Sequence, residues 1–207
     1  MKEIRTPATT VERLPLYYRC LQKLSEQQVE VISSKDLGNM LGIPSTQVRK
    51  DLSYYGEFGR RGVGYEVSVL LKNLEKILGL DNDWEIVLIG AGNLGQALVN
   101  YGNFRNLGLE INYALDVDQG KIGNHLGDVK IHSVSELDDL VQEKDIRIAI
   151  VAVPADSAQQ IANKLVANGV EAIWNFAPTR LEVPEEIEVR NEDLSIGLIS
   201  LTYHLSE

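Results

Sequence analysis

A glycine-rich turn after a short apolar run constrains this chain more than any other feature. The stretch Glu85-Ile-Val-Leu-Ile-Gly-Ala-Gly-Asn-Leu-Gly95 contains the spacing Gly90-x-Gly92-x-x-Gly95, and residues that favour helix follow it. In a strand–turn–helix unit, the first glycine permits the tight turn, the second lets backbone N–H groups approach a pyrophosphate, and the third lets the helix lie close to the strand. The pattern therefore predicts a βαβ unit that binds a dinucleotide, with the phosphates at a helix N-terminus.

The residues on either side of this turn support the prediction. Ile86 to Ile89 is an uninterrupted apolar run, as a parallel strand buried on both faces requires. A second strand pattern, Ile111-Asn-Tyr-Ala-Leu115, ends in Asp116, roughly 20 residues after the last glycine. A carboxylate at this position can accept hydrogen bonds from a ribose diol, and it would repel the 2′-phosphate of NADP. We therefore expect the ligand to be NAD(H).

The charge of the chain is unevenly distributed. The 207 residues carry a net charge of −10. Residues 1–80 hold twelve Lys or Arg and nine Asp or Glu, whereas residues 81–207 hold eight and twenty-one. This asymmetry predicts two domains with different partners, of which the basic one meets a polyanion.

Composition also excludes several classes of protein. No secretory signal and no membrane-spanning apolar stretch is present, so we expect a soluble cytoplasmic protein with no membrane partner. The single cysteine, Cys20, rules out an internal disulfide framework. His125, His132 and His204 are too widely separated to suggest a metal site.

The first 60 residues predict a helix-turn-helix. Thr9-x-x-Glu12 has the form of a capping box that opens a helix to about Leu24, with a kink expected at Pro15. Two further helices are predicted at 35–40, capped by Ser33-Ser34 and ended by Gly42, and at 45–55, ended by Gly56. Two short helices joined by a tight turn that contains glycine are typical of this motif.

The third helix has an outer face suited to DNA. Val48, Leu52 and Tyr55 predict its core face. The candidate DNA-contacting side chains lie opposite or on the flanks: Thr46, Gln47, Arg49, Lys50, Ser53 and Tyr54. An ordinary solvated helix face is an equal alternative for this helix alone. However, residues 57–67 predict a hairpin with Arg60 and Arg61 at its tip, which is the wing of a winged helix and favours DNA binding.

Beyond residue 80, strand and helix patterns alternate, as in a doubly wound parallel sheet. Strands are predicted at 85–90, 110–116, 129–132, 146–153 and 171–176, and helices at 93–105, 135–144 and 156–168. A final helix, Leu194 to Leu205, carries apolar stripes on two opposite sides. Such a helix must be covered on both sides, either at the centre of its own domain or between subunits.

Several separated motifs resemble the Rex family of redox-sensing transcriptional repressors, and the resemblance covers essentially the whole chain. The matching segments are Arg13-Leu-Pro-Leu-Tyr-Tyr-Arg19, Gln47-Val-Arg-Lys-Asp-Leu-Ser-Tyr-Tyr-Gly56, Phe58-Gly-Arg-Arg-Gly-Val-Gly-Tyr65, Gly90-Ala-Gly-Asn-Leu-Gly95, Asp116-Val-Asp118, Asn175-Phe-Ala-Pro178 and Asp193-Leu-Ser195. Gln119 and Leu115 stand where the family often has Pro and Phe.

The resemblance implies an α/β homodimer with a winged helix-turn-helix domain at 1–80, a Rossmann domain at 81–192 and a swapped terminal helix at 193–207. It implies that operator DNA is bound when NADH is scarce and released when NADH binds. The implied DNA-binding residues are Arg13 and those of the third helix and wing. The implied NAD(H)-binding residues are Gly90, Ala91, Gly92, Asn93, Leu94, Gly95, Tyr101, Asp116, Val117, Asp118, Lys121, Val153, Pro154, Asn175, Phe176 and Asp193.

Two other functions are compatible with a glycine-rich turn of this kind. The first is a small NAD-dependent dehydrogenase, but no His, Lys or Tyr has a recognisable catalytic spacing and no second substrate domain follows. The second is a CoA- or nucleotide-binding structural module, for which the arginines of the wing have no use. We therefore expect no catalytic residue, and the nucleotide to be a signal.

Overall fold

The computed structural model describes residues 6–60 and 62–205, apart from the side chain of His204. The chain divides between Asn82 and Asp83 into two compact units, and each is described by itself. Among the described residues, no helix has both the length and the apolar character needed to cross a membrane.

The first unit has the predicted helix-turn-helix and hairpin. Its described helices are α1 (Ala8–Glu26), α2 (Ser34–Leu41), α3 (Ser45–Ser53) and α4 (Val67–Leu78). Its described strands are β1 (Val31–Ile32), β2 (Gly59–Arg60) and β3 (Gly64–Glu66), in the order β1-β3-β2, and both pairs are antiparallel. We call β2, β3 and their connecting turn the wing, and α3 the recognition helix. Strand β1 was not predicted, because two residues are too few to form a pattern.

Capping explains where α2 begins and ends. The Ser33 hydroxyl accepts a hydrogen bond from the Asp36 N–H at the start of α2, and Gly42, with φ of 68°, ends it, as predicted. Helix α1 instead begins at Ala8 with Pro7 at its N-cap, so the prediction of a capping box at Thr9 is wrong. Helix α1 continues through Pro15, so its first turns are not reset there, and the kink at Pro15 stays a prediction.

The core of the first unit forms where α1 packs against α2 and α4. Its fully buried side chains include Leu14, Leu21, Leu37, Val48, Leu52, Leu70 and Leu74. Tyr55, which the sequence placed in this core, is only partly buried, because α3 ends two residues before it.

The second unit contains the predicted doubly wound sheet. Its described strands are β4 (Trp84–Ile89), β5 (Leu109–Asp116), β6 (His125–Leu126), β7 (Val129–Ser133), β8 (Ile148–Val151), β9 (Ala172–Asn175) and β10 (Glu188–Asn191). Their order is β10-β9-β8-β4-β5-β7-β6, and only β6 pairs antiparallel among them. The chain runs outward from β4 to β7 and then returns to add β8 on the other side of β4. That reversal leaves a crevice at the carboxyl ends of β4 and β8, where sheets of this type bind ligands.

The described helices of this unit are α5 (Asn93–Val99), α6 (Leu137–Glu143), α7 (Ala155–Ala167) and α8 (Leu194–Leu205), with short 3₁₀ turns at Arg105–Leu107 and Val134–Glu136. Two of these helices, α5 and α6, are shorter than predicted, whereas α7 and α8 have the predicted lengths. Strands β6 and β10 were not predicted. Both lie at the edges of the sheet. Strand β6 has only two residues, and β10 is largely exposed, so neither has the apolar pattern of the inner strands.

Both faces of the sheet are covered by apolar side chains. Val87 and Ile89 contribute to one buried cluster, and Ile86 and Leu88 to another, because successive residues of a strand point to opposite faces. Helix α8 differs from the rest of the unit, since each of its described side chains is exposed.

Candidate nucleotide and DNA sites

The three glycines after β4 lie in three different environments. Gly90 has a φ of 104°, and a Cβ there would collide with the carbonyl oxygen of Ala152. At Gly95, a Cβ would collide with the carbonyl oxygen of Gly90, so α5 can approach the strand only with glycine here. Gly92 is the N-cap of α5, and the space beside it is open. The loop therefore combines a tightly packed base with an open N-terminus at which Asn93 and Leu94 begin the helix.

Most of the candidate nucleotide-binding residues follow the carboxyl ends of neighbouring strands. In the sheet order β9-β8-β4-β5, the glycine loop follows β4 and Asp116 ends β5. Val153 and Pro154 follow β8, while Asn175 ends β9 and Phe176 comes next. These ends lie side by side at one edge, so candidate residues far apart in sequence are brought to the same edge of the sheet.

Asp116 is a buried carboxylate that joins three parts of this edge. Its Oδ2 accepts hydrogen bonds from the Ala91 N–H at 2.9 Å and from the Lys121 ammonium at 3.0 Å. Its Oδ1 accepts one from the Asp118 N–H at 2.9 Å. Burial alone would raise the pKa of Asp116, but these donors together hold it below its usual value. They occupy three of the roughly four acceptor positions of the carboxylate, which leaves room for a ribose hydroxyl.

The turn after Asp116 is open on its outer side. Val117 is exposed, and the Asp118 side chain accepts a hydrogen bond from the Gly120 N–H at 2.9 Å. This bond closes the turn that brings Lys121 back to Asp116. The turn can therefore border an adenosine without occupying its place.

Asn175 is fully buried, and its amide is used within the protein. The nitrogen donates to the Thr179 carbonyl at 2.8 Å and to the Asn191 side chain at 2.9 Å, while the oxygen accepts from the Ala177 N–H at 3.0 Å. Asn175 thus fixes the loop that carries Phe176 and ties it to β10. Its side chain shapes the edge of the site.

Phe176 belongs to a row of aromatic rings. It lies 4.5 Å from Trp174, which lies 6.0 Å from Phe104, which in turn lies 4.9 Å from Tyr101, measured between ring centroids. The rings of Phe104 and Trp174 therefore separate Tyr101 from Phe176, and Tyr101 is about half exposed. Phe104 and Trp174 were not predicted from the sequence. A signal was available for Trp174, because it stands two residues before Phe176 and side chains two apart in extended chain point to the same side.

Asp193 lies just before α8 and is exposed. Its carboxylate accepts hydrogen bonds from the Ser195 hydroxyl at 2.6 Å and from the Ser195 N–H at 2.8 Å, and these lower the pKa of Asp193. A cavity of about 380 Å³ separates this residue from the loop after Asn175. Asp193 therefore caps α8 beside the edge that carries the nucleotide candidates.

In the first unit, a groove of about 860 Å³ lies between the recognition helix and the wing. Arg49 and Arg60 line it and are exposed, and an Arg49 N–H donates to the Ser34 hydroxyl at 2.9 Å. Thr46, Lys50 and Ser53 are also exposed, and Tyr54 is partly buried at the end of α3. Arg61 lies outside the described residues. Two described arginines, three serines and one carboxylate, Glu57, line the open groove, so its described charge is net positive and suits a polyanion.

Arg13 and Gln47 are placed differently from the other DNA-binding candidates. Both side chains donate to Asp51: the Arg13 guanidinium at 2.6 and 2.8 Å, and the Gln47 amide at 2.7 Å. Asp51 is fully buried, and no role was predicted for it from the sequence. The signal was available, because residue 51 lies three after Val48 and so shares its core face.

Among the described residues, no group of three His, Cys, Asp or Glu side chains could hold a metal ion.

Comparison with known proteins assigns the chain to a family. A family model described as "Putative DNA-binding protein N-terminus" matches residues 5–53, and one described as "CoA binding domain" matches residues 81–179. A protein named "Redox-sensing transcriptional repressor Rex" from Desulforamulus reducens is 45% identical over 206 residues, which cover 100% of this chain and 98% of that protein. The chain belongs to the Rex family. Rex proteins are transcriptional repressors, so the chain is a regulator and not an enzyme.

Solved structures of a Rex-family repressor, RSP, agree with this assignment. RSP in complex with β-NAD⁺ and operator DNA matches with a TM-score of 0.92 and 39% identity over 96% of this chain and 92% of that one. RSP in complex with β-NADH matches with a TM-score of 0.89 and 37% identity over 97% and 94%. The Rex fold, a winged helix followed by a Rossmann domain, is therefore the fold of this chain.

Proposed function

We propose that this chain is an NADH-responsive repressor, which binds operator DNA while NADH is scarce and leaves it when NADH binds. The proposal is carried by one observation: a cationic winged-helix groove and a nucleotide-type glycine loop with a buried Asp116 occur on the same chain. We propose that the protein acts in the cytoplasm, where both operator DNA and NADH are available.

The groove of the first unit is the DNA-binding surface in this proposal. Lys50 and Arg49 of the recognition helix read the major groove, and Thr46, Ser53 and Tyr54 contact bases or phosphates beside them. Arg60 of the wing reaches the neighbouring minor groove, and Arg61 is assigned there by its place in the sequence. The relative RSP binds operator DNA, which supports this assignment.

The carboxyl edge of the sheet is the NAD(H) site. The pyrophosphate lies over the open N-terminus of α5 at Gly92, where backbone N–H groups and the helix dipole favour an anion. The adenosine ribose lies against Asp116, flanked by Val117, Asp118 and Lys121. A 2′-phosphate would meet the buried negative charge of Asp116, so NADP(H) is disfavoured.

Charge on the nicotinamide ring is the basis for distinguishing the two redox forms. NAD⁺ carries a positive ring and NADH a neutral one. A water-poor pocket bordered by Phe176, Pro154 and Tyr101 penalises the charged ring unless a carboxylate compensates it. The pocket therefore prefers NADH. Isothermal titration calorimetry tests this preference directly, and equal affinities for the two forms would contradict it.

A second copy of the chain covers α8. Its apolar side chains, on two opposite sides, are between 59% and 85% exposed. A helix in water would not keep so many large apolar side chains exposed, which favours a place between subunits over one at the centre of its own unit. Residues 193–207 are thus a swapped segment, and the repressor is a homodimer.

Release of DNA is a linkage between the two sites of this dimer. NADH can displace DNA only as far as it prefers the arrangement that does not bind DNA. Converting a mostly bound population to a mostly free one needs roughly 10⁴-fold differential affinity, about 5.5 kcal/mol. Two NADH sites share that requirement. We propose that NADH closes the two Rossmann domains together, so that the winged helices no longer match two half-sites.

A gel shift with a duplex operator, with NADH titrated in, tests the function. We expect a shifted band that disappears as NADH is added. Turnover of a nicotinamide substrate without a shifted band would favour a dehydrogenase. Neither turnover nor a shift would favour a structural nucleotide-binding module.

A further inference from the structure

Asp51 is a fully buried carboxylate on the inner side of the recognition helix. It accepts hydrogen bonds from the Thr10 hydroxyl at 3.0 Å, the Arg13 guanidinium at 2.6 and 2.8 Å, the Tyr17 hydroxyl at 2.7 Å and the Gln47 amide at 2.7 Å. We call these five residues the Asp51 cluster. Burying a charge is costly unless it is paired and hydrogen-bonded, and here both conditions are met.

The donors of the cluster come from two helices. Thr10, Arg13 and Tyr17 lie on one face of α1, because their spacings of three and four residues match the helical repeat. Gln47 lies one turn before Asp51 on α3. The cluster is therefore a polar connection between α1 and the recognition helix, built beside the apolar contacts of Val48 and Leu52.

The two kinds of contact constrain the helix differently. Apolar burial is not directional, so Val48 and Leu52 hold α3 against the core but tolerate small rotations and shifts along its axis. Hydrogen bonds weaken steeply with misalignment, and the two bonds from Arg13 demand a specific angle. The cluster therefore fixes the rotation and register of α3 on α1. Contacts to base edges depend on that register, because they require the correct donor at the correct position in the groove.

We propose that Asp51 is a positioning residue for operator recognition, which sets the orientation in which the recognition helix presents Arg49 and Lys50. This inference rests on the DNA-binding function proposed above. It also assigns Arg13 and Gln47 to the cluster, so that both act on DNA through Asp51. The Gln47 nitrogen must point inward, because an ionised carboxylate can only accept hydrogen bonds.

Paired tyrosines on α1 provide a matched test. Tyr17→Phe removes one hydroxyl from the cluster, and Tyr18→Phe removes the neighbouring buried hydroxyl, which donates to Glu75 at 3.3 Å outside the cluster. Asp51→Asn removes the charge of the cluster while keeping its size. The full-length proteins are compared at a temperature where circular dichroism shows all of them folded, using the operator duplex of the RSP complex and a scrambled duplex of equal length.

We expect operator affinity to fall roughly tenfold in Asp51→Asn, the size of one weakened base contact, and severalfold in Tyr17→Phe. Tyr18→Phe should bind like the parent protein. Affinity for the scrambled duplex, and the dependence of binding on salt, should stay unchanged in all three variants, because the phosphate contacts remain. The specificity ratio therefore falls while non-specific binding does not, which a loss of stability alone would not produce.

Two results would overturn the inference. If folded Tyr17→Phe binds the operator as tightly as Tyr18→Phe, the cluster serves stability alone. If operator and scrambled affinities fall together, the cluster acts on charge and not on register. Failure of the parent protein to prefer the operator would instead overturn the proposed function, so the two failures are distinguishable.

Discussion

At the scale of single residues, two buried carboxylates organise the two units. Asp51 joins the recognition helix to α1, and Asp116 joins the glycine loop to the end of β5. Each is surrounded by donors that outweigh the cost of burial and lower its pKa. Only Asp116 was predicted from the sequence, because it stands at a known spacing from a motif. The partners of Asp51 are 34 to 41 residues away on α1 or one turn away on α3, and no local pattern announces them.

The Asp51 cluster should make stability depend on acid. Burial would raise the pKa of Asp51, but its hydrogen bonds from Arg13, Tyr17, Gln47 and Thr10 bring it to about 2. A lowered pKa contributes stability that is present above the unfolded value, near 4, and is lost as pH falls toward 2. That contribution is on the order of 2 kcal/mol. Denaturant unfolding of the parent and of Asp51→Asn should give a difference that narrows between pH 4 and 2; a constant difference would contradict the role of this charge.

Lys50 should act on DNA alone. Lys50→Ala removes an exposed cation from the recognition helix and should weaken operator binding by about 1–3 kcal/mol if Lys50 contacts a base. If Lys50 contacts a phosphate instead, the slope of log affinity against log salt concentration should become shallower by about 1. NADH affinity, measured by calorimetry, should not change. Lys72→Ala on α4 is the control, since it removes an exposed cation of the same unit outside this helix. Loss of NADH and DNA binding together would indicate misfolding.

At the scale of elements, the glycine loop and α5 form a rigid base with an open end. Gly90 and Gly95 are packed against backbone carbonyls, so the fold itself requires glycine at both positions. Gly92 faces open space at the N-terminus of α5. The fold therefore needs two of these glycines, while the third is available for ligand.

Substitutions at Gly92 and Gly95 should separate ligand binding from folding. Gly92→Val places a side chain where the phosphates would lie, so the protein should stay folded, bind operator and fail to bind NADH. Gly95→Val should instead destabilise the second unit by several kcal/mol, because its Cβ meets the Gly90 carbonyl. Thermal melts and NADH titrations distinguish the two. If Gly92→Val still releases DNA when NADH is added, the glycine loop is not the sensor.

Elements with a strong apolar pattern could be predicted from the sequence. The inner strands of the parallel sheet, the helix-turn-helix and α8 all carry such patterns, and the predictions were confirmed within a few residues. Strands β1, β6 and β10 could not be predicted, because they are short and pair at sheet edges through backbone contacts that any residue can make. The predicted start of α1 was wrong, because Pro7 and not Thr9 is its N-cap residue.

Only those residues of the candidate site that belong to a motif could be predicted from the sequence. Motif residues such as Gly90 and Asp116 could be named because their roles follow from spacing. The buried hydrogen bonds of Asn175 could not, since its partners Thr179 and Asn191 come together only through the turn after β9 and the pairing with β10. Tertiary contact, and not local propensity, determines such roles.

At the scale of the whole molecule, the exposed apolar side chains of α8 support the proposed homodimer. The apolar stripes of this helix are exposed, and Asp193 at its start lines a cavity together with residues 177–180, which follow Phe176. In the proposed repressor, this gives a direct path from the nicotinamide end of the site to the subunit interface. The dimer is then both the DNA-binding form and the part that NADH rearranges.

Disrupting α8 should therefore abolish the dimer. Ile199→Lys places a charge within an apolar stripe, and we expect a monomer by sedimentation, with operator affinity reduced by at least tenfold because two half-sites can no longer be bound together. Ser200→Lys, on the same helix but outside both stripes, is the control and should remain dimeric. A dimeric Ile199→Lys with unchanged operator affinity would exclude α8 from the interface.

Operator release by NADH tests the central claim most directly. A labelled operator duplex is mixed with the full-length protein at a constant total concentration of NAD⁺ and NADH. The NADH fraction is then raised, and fluorescence anisotropy follows the release of the duplex. We predict that anisotropy falls to the value of free DNA as NADH replaces NAD⁺, and that NAD⁺ alone leaves the complex intact. Equal release by both forms, or release by neither, would contradict a repressor that senses the NADH/NAD⁺ balance.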